Sequence, residues 1–281
     1  MRLPQFVLPS GAVTPSPLQV VRAPPGLVWR ALDGGQVVGT IRAHLMPDGR
    51  WHVGFEPCRD DAYEPLLDAV AGNTDSDLYM SVRESDPDAL ARFTAVGFEV
   101  SRRESFFRIP TDPAVTGLHQ TEAPEGTIII SAIRADEEEL RLLDDALRQD
   151  VPGVDGWKWD PGDFWIETFD SGGFNPDTYL VAADVASGDY VGLVRVWDTP
   201  GSPRLGLVGV VRGHRRRGLA RVLLARAFRV LHEKGKAEVV AEADDTNTAS
   251  VTLLTSLGAR RADGIIELIR RRPGPGATPI R

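Results

Sequence analysis

Apolar positions along this chain follow two spacings, and the order in which the spacings alternate occurs twice. Residues 29–31 and 36–43 are apolar runs either side of Asp33-Gly34-Gly35, a hairpin signature. Pro47-Asp48-Gly49 turns the chain again into residues 50–55, which predicts a three-stranded antiparallel meander. Ahead of it, residues 1–25 carry several prolines without periodicity and read as an irregular lead-in. Helical spacing follows over 62–71, with Leu66, Leu67 and Val70 on one face, and then a short strand over 78–82. Asp86 is placed to cap a helix that Gly97 ends, and 98–109 suits two more strands.

Residues 111–125 are polar and broken by Pro113, Gly117 and Pro124, which marks a linker. Beyond it the order repeats on a larger scale. A strand over 127–133 leads to a helix over 136–147, with Leu140, Leu143 and Leu147 on one face. A loop-and-helix region rich in Trp and Gly fills 151–176. Strands follow at 179–184, 190–197 and 204–210, then a long helix over 218–234 with Leu223, Leu224, Ala227 and Val230 inward. A strand over 237–243, a helix over 249–257 and a strand over 265–270 complete the pattern. Phe93-Thr94-Ala95-Val96-Gly97-Phe98 and Leu254-Thr255-Ser256-Leu257-Gly258-Ala259 occupy corresponding places, which supports an internal duplication. The expected fold is α+β (mixed α/β), with two domains at 1–112 and 126–281 joined by 113–125. Each has a mostly antiparallel central sheet flanked by helices.

Composition narrows the function. A length of 281 residues suits two domains, and 42% hydrophobic with 26% charged residues suits a soluble protein with a real core. The net charge of -8 argues against a duplex nucleic-acid binder and leaves room for a cationic substrate. Cys58 is the single cysteine, so it makes no internal disulfide and belongs to no paired metal-ligand spacing. No metal is expected, and Cys58 reads as an ordinary thiol. The N-terminus lacks a signal pattern and no apolar run approaches the ~20 residues of a membrane span, so no membrane association and a cytoplasmic location are expected.

The chemistry is carried by Val210-Val211-Arg212-Gly213-His214-Arg215-Arg216-Arg217-Gly218-Leu219-Ala220, between an apolar strand and a long helix. A turn entering a helix presents unpartnered N–H groups at the positive end of the helix dipole, where a pyrophosphate fits. Small residues at Gly218 and Ala220 let phosphate approach the backbone, and Arg215, Arg216 and Arg217 add positive potential. The segment resembles the coenzyme A signature of the GNAT N-acetyltransferases, Gln/Arg-x-x-Gly-x-Gly/Ala, filled by Arg215, Gly218 and Ala220. The strand ending Ala241-Glu242-Ala243-Asp244-Asp245-Thr246-Asn247 and the helix ending Leu257-Gly258 follow in the family's order. The resemblance spans 126–272.

By that resemblance the cosubstrate is acetyl-CoA. Val208, Gly209 and Val210 would pair with its pantetheine arm, and the N–H near Val210 would polarise the thioester carbonyl. Arg215, Arg216, Arg217, Gly218, Leu219, Ala220 and Arg221 would hold the pyrophosphate, and Asn247 would contact the coenzyme at the mouth of the splayed strands. Glu242 is the candidate base, five residues before Asn247, where bacterial ribosomal-protein acetyltransferases of the superfamily carry a catalytic glutamate. Asp244 and Asp245 are alternatives. The family's usual acid, a tyrosine seven residues after the asparagine, is replaced by Leu254, which leaves Tyr179 or solvent. His214 reads as a phosphate neighbour. The acceptor pocket is expected over 151–174, where Trp157, Trp159, Phe164, Trp165 and Phe169 alternate with Asp155, Asp160, Asp163 and Glu167.

In the first half, Pro57-Cys58-Arg59-Asp60-Asp61-Ala62-Tyr63-Glu64-Pro65 stands where the phosphate turn belongs. It has no glycine and its carboxylates repel phosphate, so this half is expected to be a degenerate GNAT-like domain, as in tandem GNAT proteins. The resemblance implies an acetyltransferase acting on an amine of a small molecule or peptide by direct attack, and leaves open a homodimer. The alternative is a non-catalytic acyl-CoA-binding sensor or interaction module.

Overall fold

The structure is a computed structural model that describes residues 18–23, 26–120, 122–154, 156–199 and 201–272. The chain forms two compact units, one of residues up to His44 with Trp51–Asp77 and Arg272 onward, the other of Leu45–Arg50 and Leu78–Arg271. In the first unit β1 (Gln19–Ala23), β2 (Val28–Asp33), β3 (Gln36–Leu45) and β4 (Trp51–Phe55) are neighbours in sequence order. The hairpin between β2 and β3 is made by Gly34 and Gly35 at φ 55° and 86°, the left-handed pair that a two-residue hairpin requires. β1 corrects the reading of 1–25 as irregular: Val20 and Val21 pair antiparallel with Ala31 and Arg30. Helix α1 (Tyr63–Thr74) packs on β2 and buries Leu66, Leu67 and Val70, as their spacing predicts.

The second unit runs β5 (Leu78–Arg83), α2 (Pro87–Ala95), β6 (Glu99–Pro110), α3 (Pro113–Thr116), β7 (Thr127–Ser131), α4 (Glu137–Arg148) and α5 (Pro161–Phe169). It continues β8 (Tyr179–Asp184), β9 (Tyr190–Trp197), β10 (Arg204–Val210), α6 (Leu219–Glu233), β11 (Glu238–Asp244), α7 (Thr248–Ser256) and β12 (Arg260–Arg270). Its strands lie in the order β5-β12-β6-β11-β10-β9-β8-β7, antiparallel except between β10 and β11. Residues 98–109, expected as two strands, form most of the single strand β6, because no turn residue interrupts their alternation. The linker reading of 113–125 also changes in detail, since α3 lies there and Thr116 and Leu118 are buried. The compact units part at Asp77 and Leu78 because β5 and β6 both hydrogen-bond to β12, and β6 to β11.

Two β-α-β units of identical order therefore interleave: β5-α2-β6 and β11-α7-β12. β12 lies between β5 and β6, and β6 lies between β12 and β11. Their helices are capped alike. The side chain of Asp86 accepts from the Ala89 N–H and that of Asn247 from the Ser250 N–H. At the other end Gly97 and Gly258 take φ 89° and 73°, and the following N–H groups, of Phe98 and Ala259, reach back to the carbonyls of Phe93 and Leu254. This is the cap that closes a helix on a left-handed glycine. The shared geometry gives the duplication a physical form.

Helices α6 and α7 cover one sheet face, where Leu223, Leu224 and Phe228 pack with Ala241, Ala243 and Leu254. Helices α4 and α5 cover part of the other, with Leu140, Leu143 and Phe164 against Tyr179, Val181 and Leu193. Beneath α4 a charge cluster is fully enclosed. Asp144 accepts from Arg148 Nε at 2.5 Å and Trp159 Nε1 at 2.8 Å, with Arg195 Nη1 3.5 Å away. Burial opposes ionisation of Asp144, but the two guanidinium charges and the hydrogen bonds outweigh it and hold the carboxyl below its ordinary range. Among the described residues no helix is long and apolar enough to cross a membrane.

Removing Asp144 strands the buried Arg195 and the half-buried Arg148. Asp144→Ala is expected to cost about 3–5 kcal/mol of stability in denaturant unfolding. In the wild-type protein the folded carboxyl ionises more readily than the unfolded one. Its contribution is therefore complete above the unfolded pKa of ~3.9 and is lost as pH falls through the lower folded value, which acid unfolding curves of protein and variant measure.

Candidate functional site

The site starts from a failure of strand pairing. β10 and β11 are parallel neighbours only at Arg204–Val240 and Leu205–Ala241. At that point the register between β9 and β10 shifts across Gly206, a bulge that bends β10. Gly206 is required there: a Cβ would lie 2.1 Å from the Trp197 ring. Beyond the bulge Leu207–Val210 pair with β9 alone. The Val211 N–H donates to the Val191 carbonyl, so alternation turns the polar groups of Val208 and Val210 away from β9 and into the gap. The Val210 carbonyl there accepts from Arg215 Nε at 2.8 Å.

The chain then makes a tight basic turn. Arg216 and Gly218 sit at φ 66° and 82°, and α6 starts at Leu219. Its first N–H groups have no intrahelical acceptor. A cleft of about 520 Å³ runs from the open edge of β10 to this helix start. It is lined by Val208, Gly209, Val210, Arg215, Arg216, Gly218, Leu219, Ala220, Arg221 and Asn247, all residues the sequence singles out. Arg217 is the exception, exposed and outside the cleft. A Cβ on Gly218 would meet nothing within 4 Å, so the space beside the helix start is open. His214 lies in the wall, its Nε2 3.2 Å from Asp184 Oδ2 and its buried Nδ1 without a partner. Asp150 faces the turn, pairs with Arg212 at 3.1 Å and closely with Arg215, and is held below the usual carboxylate range by these hydrogen bonds. The donor set suits a pyrophosphate: backbone N–H groups, three lining arginines and a residue without a side chain.

Where β10 and β11 separate, a smaller cavity of about 120 Å³ joins this cleft, sharing Leu207, Val208, Asn247 and Ser250. Its floor carries Glu242, whose Oε2 accepts from Arg204 at 2.9 Å. Asp244 shares the cavity but is buried and bound to the N–H and hydroxyl of Thr246 as a turn former. Asp245 accepts from Ser105 Oγ at 2.5 Å. Leu254 is buried in the same wall and brings no hydroxyl. Tyr179 does not replace it. It is wholly buried with Asp144 and Arg195, outside these cavities, and burial pushes its hydroxyl pKa up.

The sequence reading misses Glu104, which lines this cavity from β6, opposite Asp244 in register. The signal was the alternation of Arg102, Glu104 and Arg108 with Phe107 and Ile109, which puts charges on one face of a long strand. Asp244 also lines a second cavity, of about 510 Å³, with Arg50, Arg102, Arg103, Asp245 and Glu267. The aromatic segment takes little part. Trp157, Trp159, Phe164, Phe169, Phe174 and Tyr179 stack edge to face in sequence, at centroid separations of 5.2–6.5 Å. Arg148 fills the cationic place against both tryptophans, and only residues 151–153 of the segment line these cavities. Asp155 lies outside the described residues. In the first unit the corresponding turn is closed: Arg59 is spent on Asp33 and Asp61, and burial with Asp61 and Asp60 pushes the Cys58 thiol up to about 11.

Residues 140–259 match the acetyltransferase (GNAT) family. Comparison with curated protein sequences gives no match. Among solved structures, a GCN5-related N-acetyltransferase from Sphaerobacter thermophilus is 20% identical, with a TM-score of 0.62 over 88% of this chain and 82% of that one. A tandem GNAT protein from the clavulanic acid biosynthesis pathway is 18% identical, with a TM-score of 0.64 over the same shares, 88% and 82%. A GCN5-related N-acetyltransferase from Kribbella flavida is 17% identical, with a TM-score of 0.53 over 92% and 90%. At these identities the likeness is one of fold.

The bulge makes its own prediction. Gly206→Ala puts a methyl group into the Trp197 ring, and overpacking of this kind costs about 1–3 kcal/mol. Thermal unfolding measures the loss, and the Trp197 emission is expected to shift as the ring moves.

Proposed function

We propose that this chain, whose residues 140–259 form an acetyltransferase domain of the GNAT family, moves an acetyl group from acetyl-CoA to an amine of a small molecule or a peptide. Acetyl transfer from acetyl-CoA is the chemistry of that family in general. The observation that carries the reading is an open strand edge leading straight into a basic helix start: backbone groups of Val208 and Val210 that face no strand, then Arg215, Arg216 and Gly218. Such an edge offers a strand-like partner to the amides of a pantetheine arm, and the helix start offers charge and N–H groups to its pyrophosphate. Phosphate would take the place of Asp150 at Arg215.

In this reading the Val210 N–H stabilises the oxyanion as the neutral amine attacks the thioester carbon. The nitrogen gives up its extra proton to a base, and the carbon–sulfur bond breaks with its electron pair on sulfur. The thiolate takes a proton from solvent, which a thiol pKa of ~8.5 permits without a tyrosine at Leu254. Glu242, paired with Arg204, faces the gap where the amine approaches. The second reading, a non-catalytic acyl-CoA-binding module, is favoured by Leu254. Thiol release from acetyl-CoA in the presence of a panel of primary amines separates the two, since a binding module consumes none.

One acetyl-CoA is expected to bind per chain, because the first-half turn has no glycine and its arginine is engaged. Calorimetry giving two equivalent sites contradicts this. Gly218→Glu places a carboxylate where the pyrophosphate sits and is expected to weaken binding by roughly 100-fold or more, about 2.7 kcal/mol, with unfolding still cooperative. Unchanged affinity in that variant would remove the cofactor assignment.

A further inference from the structure

Two carboxylates face the gap between β10 and β11, and their surroundings differ. Glu242 has Arg204 as its ion-pair partner, at 2.9 Å, on the exposed side of the gap. Glu104 lies deeper. Arg102 Nη2 is 2.9 Å from it, but the same guanidinium lies 3.2 Å from Glu267 through Nε and 4.0 Å from Asp244 through Nη1. One cation is thus divided among three carboxylates, and Arg50 adds a second pair to Glu267 at 3.3 Å. The charged groups facing Glu104 are Arg102 on its own strand, Glu242 and Asp244 on β11 and Glu267 on β12. Burial is the main cause that raises the carboxyl of Glu104 above its ordinary range; Arg102 opposes it, and Glu242, Glu267 and Asp244 add to it. A carboxylate held in shared, partly dry surroundings is a stronger proton acceptor than one in water.

We propose that Glu104 is the general base of the acetyl transfer, taking its place in the catalytic cavity because β6 is inserted beside β11. The proposal rests on the acetyl-transfer reading above. As the amine nitrogen bonds to the thioester carbon, an N–H proton passes to the Glu104 carboxylate, directly or through one water. The carbon–sulfur bond breaks with its electrons on sulfur, the thiolate is protonated by solvent, and Glu104 returns its proton to water. A residue from the half without the phosphate turn thereby completes the site of the other half, and it does so from the strand that the duplication interleaves. Glu242 keeps the role of anion.

The test compares Glu104→Gln, Glu104→Asp and Glu242→Gln in the full chain by thiol release, with the best acceptor from a panel of ethylenediamine, spermidine, lysine and glucosamine. Glu104→Gln is expected to lower kcat by about 10²–10⁴-fold and to abolish the acidic limb of the rate profile, with acetyl-CoA affinity by calorimetry within about threefold of wild type. That limb in the wild type is expected above the ~4.3 of an unperturbed glutamate, in keeping with the raised carboxyl. Glu104→Asp keeps a carboxylate at shorter reach, so it retains the limb at reduced kcat, which a merely structural role would not produce. Glu242→Gln is expected to raise the acceptor KM more than it lowers kcat. Wild-type kcat and an unchanged acidic limb in Glu104→Gln overturn the base assignment while leaving acetyl transfer standing. Acetyl-CoA binding without thiol release by the wild-type protein overturns both.

Discussion

Two residue pairs hold β10 to β11, and the bulge at Gly206 prevents a third. A sheet normally satisfies its backbone by continuing to pair. Here the Val208 and Val210 groups turn into an open gap, where the Val210 carbonyl accepts from Arg215. An edge in the middle of a sheet is protected from strand addition by its neighbours on both sides, and it is narrow enough to accept a single extended ligand. The gap also brings the two sheet faces together. Apolar Ala241 and Ala243 belong to the α6 and α7 side, while Glu242 and Asp244 point to the side that carries Arg102 and Glu104.

That second side is unusual for a strand surface, because its charges are not simply solvated. Arg50, Arg102 and Glu267 form a partly enclosed lattice in which each cation serves more than one carboxylate. Such sharing leaves a surplus of negative potential next to the gap without leaving any group wholly unpaired. The enclosed Asp144 cluster under α4 shows the opposite economy, with two arginines on one aspartate. It secures the helix that supplies Leu147, which packs on Gly209 in the cleft wall.

Features fixed by near neighbours were legible in the sequence. Gly34-Gly35, the caps at Asp86 and Asn247, the left-handed Gly97 and Gly258 and the turn before α6 all act within a few residues. Glu104 was not legible, because its place depends on β6 pairing with residues more than a hundred positions away, and it sits in the half that had been set aside as degenerate. The same distance hid the interleaving of β12. β1 was missed because five residues among prolines carry too little alternation. The aromatic run after α4 misled for a different reason: Trp157 and Trp159 do hold a cation, but it is the protein's own Arg148. Leu254 was legible as a departure from the family pattern, but Tyr179 became interpretable only once its burial was known.

Interleaving fixes an order of assembly. β6 ends at Pro110, yet both of its neighbours in the sheet, β11 and β12, begin only at Glu238 and Arg260. A ribosome delivering this chain in sequence releases β5 and β6 long before β12 can lie between them or β11 beside β6. The edges that β11 and β12 will cover must wait, solvated, through the synthesis of residues 111–237, a period when they are open to pairing with a second nascent chain. β5 and β6 therefore complete their part of the sheet only on the arrival of the final strand.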